Sequence, residues 1–131
     1  MNIVVIGLSH HASPVELRER FAFAENKIPD ALKSLRESGL ADEAVILSTC
    51  NRVEIYIATQ LEPAKAFAGL KQFLAESSRC DDRTTQRAAP AEIDEAIYSF
   101  AEPQSLQHLF KVACGLDLMV LGETEILGQL K

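Results

Sequence analysis

Residues 44–59, AVILSTCNRVEIYIAT, constrain the fold more than any other stretch of this chain. Two β-patterned runs flank a short polar interruption, which predicts a strand–turn–strand unit. The second run alternates Val53, Ile55 and Ile57 with Glu54, Tyr56 and Ala58, the period of a strand with two distinct faces. At the tip stands STCNR, a thiol with an arginine two positions on.

The remaining elements arrange themselves around that hairpin. A first strand is predicted over 2–9, NIVVIGLS. A helix then opens at SPVELRERF, with Ser13 as N-cap, Pro14 at the first helical position and Glu16 completing a capping box. A second helical piece runs from about 29 to 38 and stops at Gly39. The clearest helix is 62–78, where Ala66, Phe67, Leu70, Phe73 and Leu74 recur at helical spacing. Residues 78–92 are polar and aperiodic and read as a surface loop. A fourth strand is predicted over 96–100, a helix over 103–114 closed by Gly115, and ETEILGQLK reads as the start of another helix. The order is that of an α/β (α+β) sandwich, the ferredoxin-like split β-α-β-β-α-β with extra C-terminal helices, and helices on one face of an antiparallel sheet. The helical pattern still running at Lys131 reads as part of a longer protein.

Composition excludes several classes. At 131 residues the chain fits one domain, 1–131, and 47% apolar with 24% charged residues is an ordinary globular balance. No apolar run is long enough for a membrane span, and no signal peptide is evident, so a cytoplasmic location is expected. The net charge of −6 argues against a broad phosphate-binding surface, and any nucleic-acid contact is either made by another part of a longer protein or confined to a few residues such as Arg18, Arg20 and Arg52. Cys50, Cys80 and Cys114 are too few and too widely spaced for a disulfide framework or a zinc site.

Cys50 is the first candidate for chemistry. Free cysteine is commonly a buried structural residue. A hairpin tip is instead exposed, and both Arg52 and the free N–H groups of a turn would favour the nucleophilic thiolate. Cys80, beside Asp81 and Asp82, and Cys114, at the negative end of a helix, lack that setting. His108 is the second candidate. On a helical wheel Leu106, Leu109, Phe110 and Ala113 share the apolar face, and His108 points nearly opposite with Gln104 and Lys111. It reads either as a solvated histidine or as a cleft-lining acid. His10–His11 has no companion ligands at metal spacing, so no metal is expected. Glu123, Glu125 and Gln129 lie at a helix start, where acidic residues suit the dipole whether or not they have another role. Neither a G-x-G-x-x-G nor a Walker loop is present, so no nucleotide site is expected in the chain.

Three segments together resemble the glutamyl-tRNA reductase family: GLSHHASPVELRERFAF, LSTCNRVEIY and HLFKVACGLDLMVLGETEILGQLK. They cover about half the chain, in order, and resemble the family's N-terminal catalytic domain. The resemblance implies an NADPH-dependent oxidoreductase that converts glutamyl-tRNA to glutamate-1-semialdehyde, at the entry to tetrapyrrole (porphyrin) biosynthesis. It implies that Cys50 is the nucleophile that attacks the aminoacyl ester and holds a thioester. It further implies that Arg52 holds the substrate carboxylate, that Thr49 and Asn51 neighbour it, and that His108 is important for activity. Glu123, Thr124, Glu125 and Gln129 match the remaining substrate-contact positions. NADPH-binding and dimerisation domains are implied outside this chain, so the chain alone is expected to lack reductase activity. Implied partners are glutamyl-tRNA, a second subunit in a homodimer, and a downstream aminomutase that takes the product. The sequence departs from the family pattern at Leu118, where a substrate-contacting serine is expected, and at Thr124 and Glu125, which stand where proline and glutamine are common. Two other readings fit the residues: a small-molecule binding or regulatory module with no reactive thiol, and a cysteine esterase using Cys50 and His108.

Overall fold

A computed structural model of the chain describes residues 1–9, 21–49, 51–78 and 97–114. Among these, four strands form one antiparallel sheet: β1 (Asn2–Ser9), β2 (Glu43–Ser48), β3 (Arg52–Thr59) and β4 (Tyr98–Phe100). Its order is β2-β3-β1-β4, which is the ferredoxin-like arrangement expected from the element order. Three helices accompany it: α1 (Ile28–Glu37), α2 (Pro63–Ser78) and α3 (Gln104–Ala113). The expected helix at Ser13–Pro14–Glu16, the loop over 79–92 and the helix start at 123 lie outside the described residues.

Local signals explain the ends of α1. Pro29 and Asp30 stand in its first turn, and Gly39 just beyond its end adopts φ +80°, a conformation other residues avoid. The buried faces of α1 and α2 then meet one face of the sheet. Leu35 of α1 and Ala66, Leu70 and Leu74 of α2 pack with Val4, Ile6 and Leu8 of β1 and with Ile55 and Ile57 of β3. This is the main core, and Phe23 and Phe73 stack at its border with ring centroids 6.4 Å apart.

The second face of the sheet is not left to solvent. Helix α3 lies across it, so that Val112 and Leu109 pack against Val5, Leu47, Tyr56 and Phe100. All eight residues of β3 are consequently buried, including both members of its polar–apolar alternation. The helix is seated by the backbone of Ile3. Pairing between β1 and β4 covers Val5 to Gly7 only, so Ile3 needs other partners on that side. Its N–H donates to Glu102 Oε1 at 2.9 Å, and its carbonyl accepts from Ser105 Oγ at 2.8 Å.

That seating corrects the expected face of α3. Ser105 and Val112 are buried, with His108 and Leu109 between them, whereas Phe110 is 65% exposed. Both faces have the spacing i, i+3, i+4, i+7, so periodicity alone does not choose between them. Hydrogen bonding does: the chosen face carries the hydroxyl and imidazole that satisfy buried polar groups of the sheet.

Candidate functional site

The β2–β3 connection closes on itself. Thr49 N–H donates to the Arg52 carbonyl at 2.8 Å, and Thr49 Oγ1 accepts from the N–H groups of Asn51 at 3.1 Å and Arg52 at 3.3 Å. A side-chain oxygen that takes two backbone donors of its own turn holds that turn in one shape. Thr49 is itself buried, and Asn51 is half-buried. Cys50, between them in sequence, lies outside the described residues, as do Cys80, His10, His11, Leu118, Glu123, Thr124, Glu125 and Gln129. Of the expected site residues, Thr49, Asn51, Arg52 and His108 are described.

Arg52 and His108 are brought together through a third residue. Strand β3 sends Arg52, Glu54 and Tyr56 to the same face of the sheet, the one covered by α3. Both Arg52 and Glu54 are wholly buried. The Glu54 carboxylate is met by Arg52 Nη1 at 3.4 Å on Oε1, by the Tyr56 hydroxyl, which donates at 3.2 Å to Oε2, and by His108 Nε2 at 2.5 Å on Oε2. The 2.5 Å contact is short for a hydrogen bond between a ring nitrogen and a carboxylate, while 3.4 Å is long for one. His108 therefore points inward toward the sheet, with little of its side chain exposed, not outward with Gln104 and Lys111.

Aromatic rings wall this cluster. The His108 ring lies 5.1 Å from both the Tyr98 and the Phe100 ring centroids, tilted against each. Tyr98 lies beside Gly7 in the register, and Gly7 lies beside Glu54. A Cβ at Gly7 would sit 2.7 Å from Tyr98 Oη and 2.8 Å from Glu54 Cγ, closer than atoms pack. Absence of a side chain at this one position lets the tyrosine and the glutamate converge. Among the described residues no group meets the Tyr98 hydroxyl in full hydrogen-bonding geometry, although the Glu54 carboxylate stands near it. Burial, and after it the negative charge of Glu54, push its pKa far above the ordinary tyrosine value.

Glu54, Tyr98 and Gly7 are not among the residues that motif or composition singles out. A glutamate in an alternating strand reads as solvent-facing, and the signal that could have found it is the polar triplet Arg52, Glu54, Tyr56 at strand spacing. With no exposed area, Arg52 is not part of an open phosphate-binding surface, and an anion reaches it only by entering the cluster. Cys114 is exposed at the end of α3. Among the described residues no group of three or more His, Cys, Asp or Glu could hold a metal, and no helix is long and apolar enough to cross a membrane. An open cleft of about 640 Å³ lies toward the opposite end of the β2–β3 hairpin, lined by Asp42, Glu43 and Ala58, and reaches the cluster only at Tyr56.

Comparison with known proteins decides the family. The family model described as glutamyl-tRNAGlu reductase, N-terminal domain, matches residues 6–131. The chain belongs to the glutamyl-tRNA reductase family. Among its relatives, glutamyl-tRNA reductase of Shouchella clausii is 48% identical over 133 residues, covering all of this chain and 27% of that protein. The glutamyl-tRNA reductase of Pelobacter propionicus is 46% identical over 132 residues, again covering the whole chain and 28% of the relative. A solved structure of glutamyl-tRNA reductase from Methanopyrus kandleri superposes with a TM-score of 0.68 at 28% identity, over 98% of this chain and 26% of that one. The chain thus spans about a quarter of the length of the reductases it matches. The clasped turn and the buried Glu54 cluster belong to the N-terminal domain of that family.

Proposed function

We propose that residues 1–131 form the glutamyl-accepting domain of a glutamyl-tRNA reductase, with Cys50 as the residue that captures the glutamyl group. The observation that carries this reading is the Thr49–Arg52 clasp. It fixes both ends of the turn that contains Cys50 in sequence, and its last residue leads directly into the buried cluster of Arg52, Glu54 and His108. A fixed turn keeps a nucleophile in one position relative to its neighbours, which is where most of the advantage of an enclosed reaction arises.

The capture step balances as follows. The Cys50 sulfur forms a bond to the ester carbonyl carbon of Glu-tRNA, and the bond from that carbon to the terminal ribose oxygen breaks. The ribose hydroxyl leaves with the proton that the thiol gave up, and a thioester remains on Cys50. His108, with Nε2 engaged by Glu54, is the candidate carrier for that proton. Arg52 offers a positive charge to the glutamate carboxylate, and Thr49 and Asn51 shape the turn beside it. Glu123, Thr124, Glu125 and Gln129 complete the substrate contacts in this reading.

NADPH is the hydride source in the complete reaction, which yields glutamate-1-semialdehyde. The described residues do not fit that dinucleotide. Close backbone approach to a pyrophosphate needs open glycines, whereas Gly7 is covered by Tyr98 and Glu54, Gly69 packs on Leu40, and Gly39 ends a helix. We place the dinucleotide site and the dimerisation surface outside these 131 residues. The chain alone then captures glutamate without reducing it.

Loss of the thioester to water makes this testable. Incubation of the chain with Glu-tRNA and no NADPH is expected to release free glutamate slowly, and Cys50→Ser is expected to abolish the release. Equal release by both proteins would overturn the assignment of Cys50. Turnover of simple esters without tRNA would favour a stand-alone esterase.

A further inference from the structure

We propose that Glu54 is a positioning residue of the glutamyl-accepting site, its carboxylate holding the Arg52 guanidinium and the His108 imidazole in one fixed arrangement. The inference rests on the proposed capture of glutamate by Cys50 and extends it to a residue that makes no contact with substrate.

Four observations support it. Glu54 has no exposed area, yet apart from Arg52 its neighbours on the same face of the sheet are apolar or aromatic: Leu47, Tyr56 and Tyr98. A buried ion cluster adds little to stability over equally well-packed apolar side chains, so the set of Arg52, Glu54 and His108 taken as a whole is not something the fold itself requires. The carboxylate is met from two elements far apart in sequence, by Arg52 and Tyr56 on β3 and by His108 on α3. Finally, Gly7 provides the space: any side chain there would collide with Glu54 Cγ and with Tyr98.

The consequence for His108 is specific. With Nε2 donating to Glu54, Nδ1 is the ring nitrogen left for proton transfer, and the ring plane is held between Tyr98 and Phe100. Arg52, bonded through Nη1 to the same carboxylate, is held at a set distance from that ring. One residue thus sets the relation between the proposed carboxylate-binding group and the proposed proton carrier.

The test uses the 131-residue chain with Glu54→Gln, which keeps size and removes charge. Thermal unfolding establishes that the variant is folded. Glutamyl transfer from Glu-tRNA to Cys50 is expected to slow by about 10- to 100-fold, the range seen when an orienting partner of a functional histidine is removed. Alkylation of Cys50 by iodoacetamide, which needs no carboxylate binding and no proton carrier, is expected to stay within about twofold of wild type because Glu54→Gln leaves the Arg52 charge in place. The His108 Nε2–H proton resonance, moved downfield by the short bond to a carboxylate, is expected to move upfield. Wild-type transfer with an unmoved resonance would overturn the proposal. Transfer and alkylation falling together would also overturn it, because Glu54 would then support the turn only structurally. Should Glu54→Gln fail to fold, Tyr56→Phe removes one donor to the same carboxylate. A smaller upfield move and a few-fold slower transfer are then expected, and no change in either would count against the proposal. If wild-type Cys50 accepts no glutamate, the functional reading fails, while the resonance still reports whether Glu54 holds His108.

Discussion

Glu54 and His108, 54 residues apart in sequence, meet inside the molecule through a 2.5 Å contact between Oε2 and Nε2. The contact ties β3 to α3 across the face of the sheet that the strand pattern alone assigns to solvent. It also places a glutamate between the arginine and the histidine that the family resemblance singles out.

Removing the Glu54 side chain outright leaves the buried Arg52 charge without that carboxylate. Glu54→Ala is therefore expected to lower stability by about 3–5 kcal/mol, the cost of breaking a buried ion pair by deleting one partner. Urea denaturation of the two proteins measures it. A loss below about 1 kcal/mol, typical of an exposed pair, would contradict the buried arrangement.

Gly7 is expected to tolerate no side chain. In Gly7→Ala the new methyl would lie 2.7 Å from Tyr98 Oη and 2.8 Å from Glu54 Cγ, so one of these side chains must shift. A loss of about 1–3 kcal/mol is expected, as for other overpacked cores. Thermal unfolding checks it, and Gly39→Ala, in open space but at positive φ, gives a comparison governed by backbone conformation alone.

Tyr98 predicts a dependence on alkaline pH. Its folded-state pKa is raised above the unfolded value by burial and then by Glu54. The neutral phenol is therefore favoured by folding, and its contribution is fully present below the unfolded pKa, near 10. It is lost as pH rises beyond that, because the unfolded chain releases the proton and the folded chain does not. Denaturation curves of wild type and Tyr98→Phe between pH 8 and pH 11 should run parallel up to about 10, and above it wild type should lose stability faster.

The two candidate faces of α3 can be separated by mutation. Phe110→Ser, at an exposed position, is expected to change stability by no more than about 0.5 kcal/mol. Val112→Ala, at a site 1% exposed, is expected to cost about 1 kcal/mol or more. Chemical denaturation of both variants decides the face, and the reverse ranking would restore the one read from the helical wheel.

These outcomes bear on what the amino-acid order reveals. Strands β1 to β3 and helices α1 and α2 are legible because each repeats apolar residues at its own period, and α1 also ends on a strong stop at Gly39. The turn at Thr49 is legible because short polar runs between strands are turns. Burial of Glu54 is not legible, because the helix that covers it begins only at Gln104 and its approach depends on tertiary packing. The orientation of α3 is hidden for a related reason. Two faces offer identical spacing, and the choice falls to Ser105 and His108, whose partners are an Ile3 carbonyl and the Glu54 carboxylate. Apolar periodicity carries no information about such polar pairing. The motif STCNR marks the turn, but nothing in its residues points to Glu54.

Capture of glutamate by Cys50 is the central claim, and intact-mass spectrometry tests it most directly. The chain is incubated with Glu-tRNA without NADPH, quenched in acid to preserve thioesters, and weighed. One added glutamyl group is expected, mapped to Cys50, absent in Cys50→Ser and removed by hydroxylamine. No adduct, or an adduct that persists in Cys50→Ser, would contradict the account.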